Sequence, residues 1–256
     1  MNEREKPLFK RVASIQVRMG STRLPGKVML EVDGKPLLGH LLDRLEQCRT
    51  LDQIVVATSI AEENDVIEEY CLSRKVEIFR GDENDVLGRT LGALSMCQAD
   101  VGIEVFGDCP LIDPRIVDEI VECFGQSGDL DFVGNDLSTT YPPGMEVEVF
   151  SVAALADAAS RTDDPDIREH GTLFIRQRPD LYKIRNYSAP GTYHRPDLSL
   201  EIDTSEDLFV ISAIIEAFSG RPDYSLGDII EFMDENPVIA KINRDVPRRW
   251  EQFREK

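Results

Sequence analysis

No stretch of this 256-residue chain approaches the roughly 20 consecutive apolar residues of a membrane span, which excludes a spanning helix and leaves no membrane partner expected. The first residues, Met1 to Lys6, are charged and lack the apolar region of a secretory leader. Cysteine is sparse: five residues at spacings of 23, 26, 12 and 14, with no Cys-x-x-Cys pair and no disulfide ladder. Reduced thiols packing as small hydrophobes in a cytoplasmic protein are the expectation. Bases are also short, 29 Lys and Arg against 48 Asp and Glu, for a net charge of −19. Such a surface repels polyphosphate backbones, so general nucleic-acid binding is excluded.

Against that deficit one segment stands out. Lys6 to Leu30 holds six bases and no acid, where the average composition would place about five acids. Within it, Arg18-Met19-Gly20-Ser21-Thr22-Arg23-Leu24-Pro25-Gly26-Lys27 follows the apolar run Val12 to Val17. Glycines, hydroxyls and cations gathered after a strand are suited to gripping an anion, and polyphosphate above all. A nucleotide is the first ligand this predicts.

Strand-like runs recur at Val12 to Val17, Gln53 to Thr58, Val76 to Phe79, Val101 to Phe106, Asp131 to Asn135, Glu146 to Phe150 and Ser199 to Ile202. Helical patterns alternate with the early ones: Leu37 to Cys48, Glu62 to Arg74, Asp85 to Cys97 and Pro114 to Phe124. The alternation predicts a doubly wound, mainly parallel α/β sheet with helices on both faces. Further helices are expected at Val152 to Ser160, Asp166 to Gln177, Ser205 to Phe218 and Leu226 to Asp234, before a charged C-terminal tail. With no interdomain linker, residues 1–256 read as one domain with a small β-containing insertion at 136–197, in which Glu146 to Phe150 pairs with Lys183 to Tyr187.

Ligands of open α/β sheets bind beyond the carboxyl ends of the strands. Three acidic groups fall at such places: Asp108 with Asp113 after Phe106, Asp203 after Ile202, and Glu146 with Glu148. A carboxylate there can ligate a hard cation such as Mg²⁺. Asp113-Pro114 reads rather as a helix N-cap, Asp203 fits a cap or a ligand equally, and Asp108 has no helix to cap. Glu146 and Glu148 share one strand face, for which solvent exposure is the default. His170 fits a structural or an acceptor role equally, His40 reads as structural, and nothing makes Cys109 a reactive thiolate.

The run from Arg18 to Lys27, with Val55-Val56-Ala57-Thr58-Ser59, Gly81 to Arg89, Gly107 to Asp113, Pro143 to Phe150, Arg168-Glu169-His170 and Ile202-Asp203-Thr204, resembles the cytidylyltransferases that activate acidic sugars, the CMP-Kdo and CMP-sialate synthetases. It is most similar to the spore-coat polysaccharide cytidylyltransferase-like family. The resemblance spans residues 10 to 215 and implies a Rossmann-like fold of the nucleotide-diphospho-sugar transferase type, CTP as donor and Mg²⁺ as cofactor. It implies a nucleotide-binding loop including Met19 and Gly20, with Arg18, Ser21, Arg23 and Lys27 on the triphosphate. Thr58, Ser59 and Gly81 would lie around base and ribose, and Asp108 and Asp203 would hold the metal, completing a catalytic set with Arg18 and Lys27. Tyr141, Glu146, Glu148, Arg168, Glu169 and His170 would line the acceptor pocket.

The expected reaction is CMP transfer to an acidic sugar with release of pyrophosphate, in cell-surface polysaccharide biosynthesis, by a cytoplasmic homodimer. Two other readings stay open: a phosphate or phosphonate acceptor giving a CDP-type product, and a GT-A-like glycosyltransferase or noncatalytic nucleotide-sugar binder. Asp108-Cys109-Pro110 carries one carboxylate where a glycosyltransferase would show a DxD pair, which counts against the last. Arg168, Arg185 and Arg195 are the candidates for binding an acceptor carboxylate.

Overall fold

In the computed structural model the structure describes residues 9–248. The charged N-terminus and most of the charged tail lie outside the described residues. In chain order the elements are β1 (Arg11–Gln16), β2 (Glu31–Val32), β3 (Lys35–Pro36), α1 (Leu37–Leu45), β4 (Gln53–Ser59), α2 (Asp65–Arg74), β5 (Glu77–Gly81) and α3 (Val86–Met96). There follow β6 (Val101–Phe106), α4 (Pro114–Ser127), β7 (Phe132–Gly134), β8 (Glu148–Ser151), α5 (Val152–Arg161), α6 (Pro165–Arg168) and α7 (Leu173–Arg176). The last are β9 (Ile184–Asn186), α8 (Ser205–Ala217), α9 (Leu226–Glu235) and α10 (Pro237–Ala240). None of these helices is long and apolar enough to cross a membrane.

Seven strands form one sheet in the order β5-β4-β1-β6-β8-β7-β9. Strands β1, β4, β5 and β6 pair in parallel, and β8 runs antiparallel to both β6 and β7. The central strands are mainly apolar on both sides because helices cover both faces. On one face β1 and β6 bury Ala13, Ile15, Ile103 and Val105 against α1, α4 and α8. On the other, Val12, Val55 and Ala57 pack with Leu87 and Leu94 of α3 and Leu155 of α5.

The chain runs from β1 outward to β4 and β5, then crosses back to β6 on the opposite side of β1. The loops after β1 and β6 therefore leave side by side at a topological switch point, where open α/β sheets make their ligand crevice. Gln16 pairs with Phe106, so the two strands end together. A Cβ on Gly107 would lie 2.3 Å from Val17 Cγ1 and 2.7 Å from the Gln16 carbonyl, so only glycine lets the two loops approach this closely.

The second half departs from the sequence reading in four places. Glu148–Ser151 enters the central sheet, and the segment 183–187 contributes β9, which pairs with β7 and not with β8. Asp166 to Gln177 is two short helices separated at 169–172. Glu146 and Glu148 are buried, not solvated. Ser199 to Ile202 alternates like a strand but joins no ladder: Leu200 N–H donates to the Pro143 carbonyl (2.6 Å) and Ile202 N–H to the Asp108 carbonyl (2.9 Å), each in a different loop.

That crossing fixes Gly144, at φ 103°, where an added Cβ would lie 2.3 Å from the Leu200 carbonyl carbon. Gly144→Ala is expected to cost about 1–3 kcal/mol, read by urea denaturation. An unchanged midpoint would show that the 143–145 backbone is free to relax.

Candidate active site

The loop after β1 is closed by its own backbone. The Met19 carbonyl accepts from Ser21 N–H and Gly26 N–H, both at 2.9 Å. Met19 N–H donates to Asn64 Oδ1 (2.8 Å), which ties the loop to the segment after β4. Its three cations all find acidic partners, and two of them share Asp203. Arg18 pairs with Glu83 (3.0 Å). Arg23 pairs with Asp203 and donates to the Pro247 carbonyl (2.8 Å). Lys27 turns inward, its side chain 12% exposed, and donates to Asp108 Oδ2 (3.0 Å), Asp203 Oδ1 (3.0 Å) and the Ile202 carbonyl (2.6 Å). Burial alone would lower the Lys27 pKa, but Asp108 and then Asp203 outweigh it and hold the ammonium well above its ordinary value.

Asp203 is not a cap. Thr204 caps α8, in a reciprocal capping box with Asp207, and leaves the Asp203 carboxylate facing Lys27 and Arg23. Asp113 does cap: it accepts from Arg115 N–H (3.0 Å) and from Leu226 N–H at the start of α9 (2.7 Å). Among the described residues no group of three or more His, Cys, Asp or Glu is arranged to hold a metal ion. Asp108 and Asp203 converge on one lysine nitrogen from two chain segments. Two hard carboxylates suit a cation that completes its shell with water and phosphate oxygens, as Mg²⁺ does.

The segment after β4 and the turn after β5 form the flank beside Arg18. Thr58 and Ser59 are both fully buried. Ser59 Oγ accepts from Asn64 Nδ2 (2.8 Å), and Thr58 Oγ1 has no hydrogen-bond partner. The Gly81 carbonyl takes Ile60 N–H (3.0 Å). Gly20 faces Glu63 across the same opening. The turn is held by Arg89, which donates to the carbonyls of Asp82 (2.6 Å) and Glu83 (2.7 Å) and to Gln16 Oε1 (3.3 Å). Asn64 is not marked by sequence; Glu83 and Arg89 lie in the run Gly81 to Arg89 that carries the resemblance, but nothing local assigns them a role.

The expected acceptor residues divide. Glu146 accepts from Gly144 N–H (2.6 Å), and Cys109 Sγ lies between it (3.9 Å) and Asp108 (3.6 Å), so it adjoins the two-carboxylate site. Burial pushes the Cys109 thiol well above its usual range, leaving it neutral. Glu148 accepts from Thr172 Oγ1 (2.5 Å) and Arg176 (2.8 Å). Arg176, which sequence did not single out, also pairs with Asp136 (2.9 Å). Glu104 lies directly across from Glu148 in the sheet, 2% exposed, with Oε2 unpartnered. Burial and then Asp136 raise Glu148 to about 7, and burial and then Glu148 raise Glu104 strongly, against the pull of Arg176 on both. A strand glutamate read as buried would have called for such a cation.

The other expected acceptor groups turn elsewhere. Tyr141 is buried, its hydroxyl without a partner and its pKa raised by that burial. Arg168 donates to Asp85 (2.7 Å) and to the carbonyls of Ala159 and Thr162, tying α6 to α3. Glu169 is exposed, and His170 is half-buried, with its pKa lowered by that burial. Arg185 meets Ser127 and Cys123, and Arg195 meets Asp197 and Asp234. The cation that faces the strand-borne acids is Arg176.

A family model described as cytidylyltransferase matches residues 12–233. The spore coat polysaccharide biosynthesis protein SpsF of Bacillus subtilis (strain 168) is 34% identical, over 88% of this chain and 95% of its own length. The structure of a cytidylyltransferase from Leptospira borgpetersenii serovar Hardjo-bovis (strain JB197) superposes with a TM-score of 0.86 at 32% identity, covering 94% of this chain and 99% of that one. A CMP:2-keto-3-deoxy-manno-octonic acid synthetase complexed with CTP shares the fold, with a TM-score of 0.62 at 17% identity over 81% of this chain and 99% of that one. The switch-point site lies wholly inside the matched region, and by that match and the SpsF identity the chain belongs to the cytidylyltransferase family.

Proposed function

We propose that this chain transfers CMP from CTP to a hydroxyl of an acidic sugar or related acceptor, releasing pyrophosphate, in the biosynthesis of a cell-surface polysaccharide. The observation that carries the reading is Lys27 held between Asp108 and Asp203 at the end of β1 and β6. One cation of the phosphate loop and two carboxylates from distant segments meet at a point, as charge transfer at a phosphorus requires.

When bound, Mg²⁺ held by Asp108 and Asp203 would polarise the α-phosphate and lower the pKa of the attacking hydroxyl. The remaining work falls to the chain itself. The loop backbone around Met19 to Ser21 and the side chains of Arg18, Ser21 and Arg23 grip the triphosphate. Lys27 and Arg18 offset the negative charge that grows on the leaving pyrophosphate, with no covalent intermediate needed. To do so Lys27 exchanges a carboxylate for a phosphate oxygen, and Arg18 does the same with Glu83. Thr58, Ser59 and the Gly81 turn flank the base and ribose. Glu146, beside Asp108, lines the acceptor side, and Arg176 is within electrostatic reach of it.

Pyrophosphate release decides between the readings. The purified chain is given CTP, UTP, ATP or GTP with Mg²⁺ and a panel of 2-keto-3-deoxy sugar acids, sugar phosphates and phosphonates. Release with CTP and a sugar acid, with a CMP-sugar by mass, is the expected result. A CDP-type product moves the acceptor to the phosphate class, and no release with any pair refutes nucleotidyl transfer.

A further inference from the structure

We propose that Arg248 is a positioning residue for Asp203, acting through the buried carboxylate of Asp207. The inference rests on the reading of Asp203 as a metal ligand. It concerns residues 243–248, which lie beyond the stretch matched by the family model.

Asp207 is fully buried in the first turn of α8. Its Oδ2 accepts from the N–H groups of Asp203 and Thr204, both at 2.9 Å, so it fixes the backbone from which the Asp203 carboxylate projects. A capping box alone requires only the bond to Thr204. Here the same carboxylate is also gripped from below by Arg248, whose two terminal nitrogens lie 3.0 Å from Oδ2 and 2.7 Å from Oδ1. Asn243 Nδ2 adds a bond to Oδ1 (2.8 Å) and one to the Ser199 carbonyl (3.0 Å). Arg248 further pairs with Glu201 (3.5 Å) and donates to the Asn243 carbonyl (3.2 Å). A bidentate arginine–carboxylate pair this deeply buried is directional as well as strong.

The same segment touches the site from a second side. The Pro247 carbonyl accepts from Arg23, and Arg23 pairs with the Asp203 carboxylate. Residues 243–248 thus hold Asp203 twice, by its backbone through Asp207 and by its side chain through Arg23. This matters because Ser199 to Ile202 joins no strand ladder, so the sheet does not fix the residue that follows it. Outer partners that orient a metal's ligands typically change metal affinity about 10–100-fold when removed.

Mn²⁺ binding to the full chain, measured by the electron paramagnetic resonance of free Mn²⁺ with CTP present and no acceptor, tests the assignment. Arg248→Met is expected to weaken Mn²⁺ binding by about 10–100-fold. Arg248→Lys, which keeps the charge but not the fork, should restore part of the loss. CTP binding without metal should stay within about twofold of wild type, which a general loosening of the fold would not allow. A folded Arg248→Met chain that binds Mn²⁺ normally overturns the proposal. If Arg248→Met does not fold, Asn243→Ala decides, with weakening of about threefold or more expected and wild-type affinity overturning it. Asp203→Asn separates the two claims. If it binds Mn²⁺ like wild type, the metal reading falls and this inference with it; if it loses Mn²⁺ while Arg248→Met does not, this inference falls alone.

Discussion

Lys27→Ala is expected to lower kcat/KM for CTP by two to three orders of magnitude, about 3 kcal/mol at the transition state, in a chain that still folds. The size follows from the work Lys27 does. Its ammonium is nearly buried and is held charged by Asp108 and Asp203, and in the proposed reaction it would lie where pyrophosphate charge develops. In the unliganded protein the same substitution leaves two partly buried carboxylates facing each other, at a cost of about 1–3 kcal/mol in stability. Steady-state pyrophosphate release and urea denaturation separate the two effects. A variant within tenfold of wild-type kcat/KM would remove Lys27 from the chemistry, whatever its stability.

The second large effect is on folding. Arg176→Met is expected to destabilise the chain by about 3–5 kcal/mol, because it strips the cation from Glu148 and Asp136 without removing either buried acid. The loss should depend on pH. With Glu148 raised to about 7 in the fold, the folded state binds the extra proton between its ordinary value and 7. Its contribution to stability therefore falls as pH rises through that window. Removing Arg176 raises Glu148 and Glu104 further, since its charge pulls both down, more than Arg89 does at Glu104 or Thr172 does at Glu148. Urea midpoints should thus show a larger penalty at pH 8 than at pH 5. His170, lowered first by burial and further by Arg176, destabilises the fold on acidification; removing Arg176 relieves part of that, which also makes the penalty smaller at pH 5 than at pH 8. An equal penalty at both pH values would mean that the acids are already neutral through the whole range.

The parts of this protein that sequence displayed are those whose cause is local. The central strands are mainly apolar and α1 carries Leu38, Leu41, Leu42 and Leu45 on one stripe, so their positions were legible within a few residues. Weaker signals misled where neighbours overrode them. Ser199 to Ile202 had strand alternation, but its N–H groups go to the carbonyls of two loops and not to a strand. The periodicity through Asp166 to Gln177 hid the break at 169–172, where Gly171 packs against the Glu104 carboxylate. Glu146 and Glu148 looked like a solvated face because period two says which residues share a side, and cannot say that the side is covered.

The charge pattern followed the same division. Arg18 to Lys27 was legible as an anion-binding loop because glycine, hydroxyl and cation sit within one turn of chain. Asp108 was legible because it follows a strand and caps nothing. The amino-acid sequence alone thus displays the alternating α/β order, a basic glycine-containing loop after β1 and a carboxylate just beyond β6. Only the tertiary structure decided that Lys27 meets Asp108 and Asp203, 81 and 176 residues away, and that Arg176 and Arg248 hold the acids around them. The reason is physical: local propensity acts over a few residues, whereas the partner of a buried charge is set by the strand order that brings distant loops to one edge of the sheet.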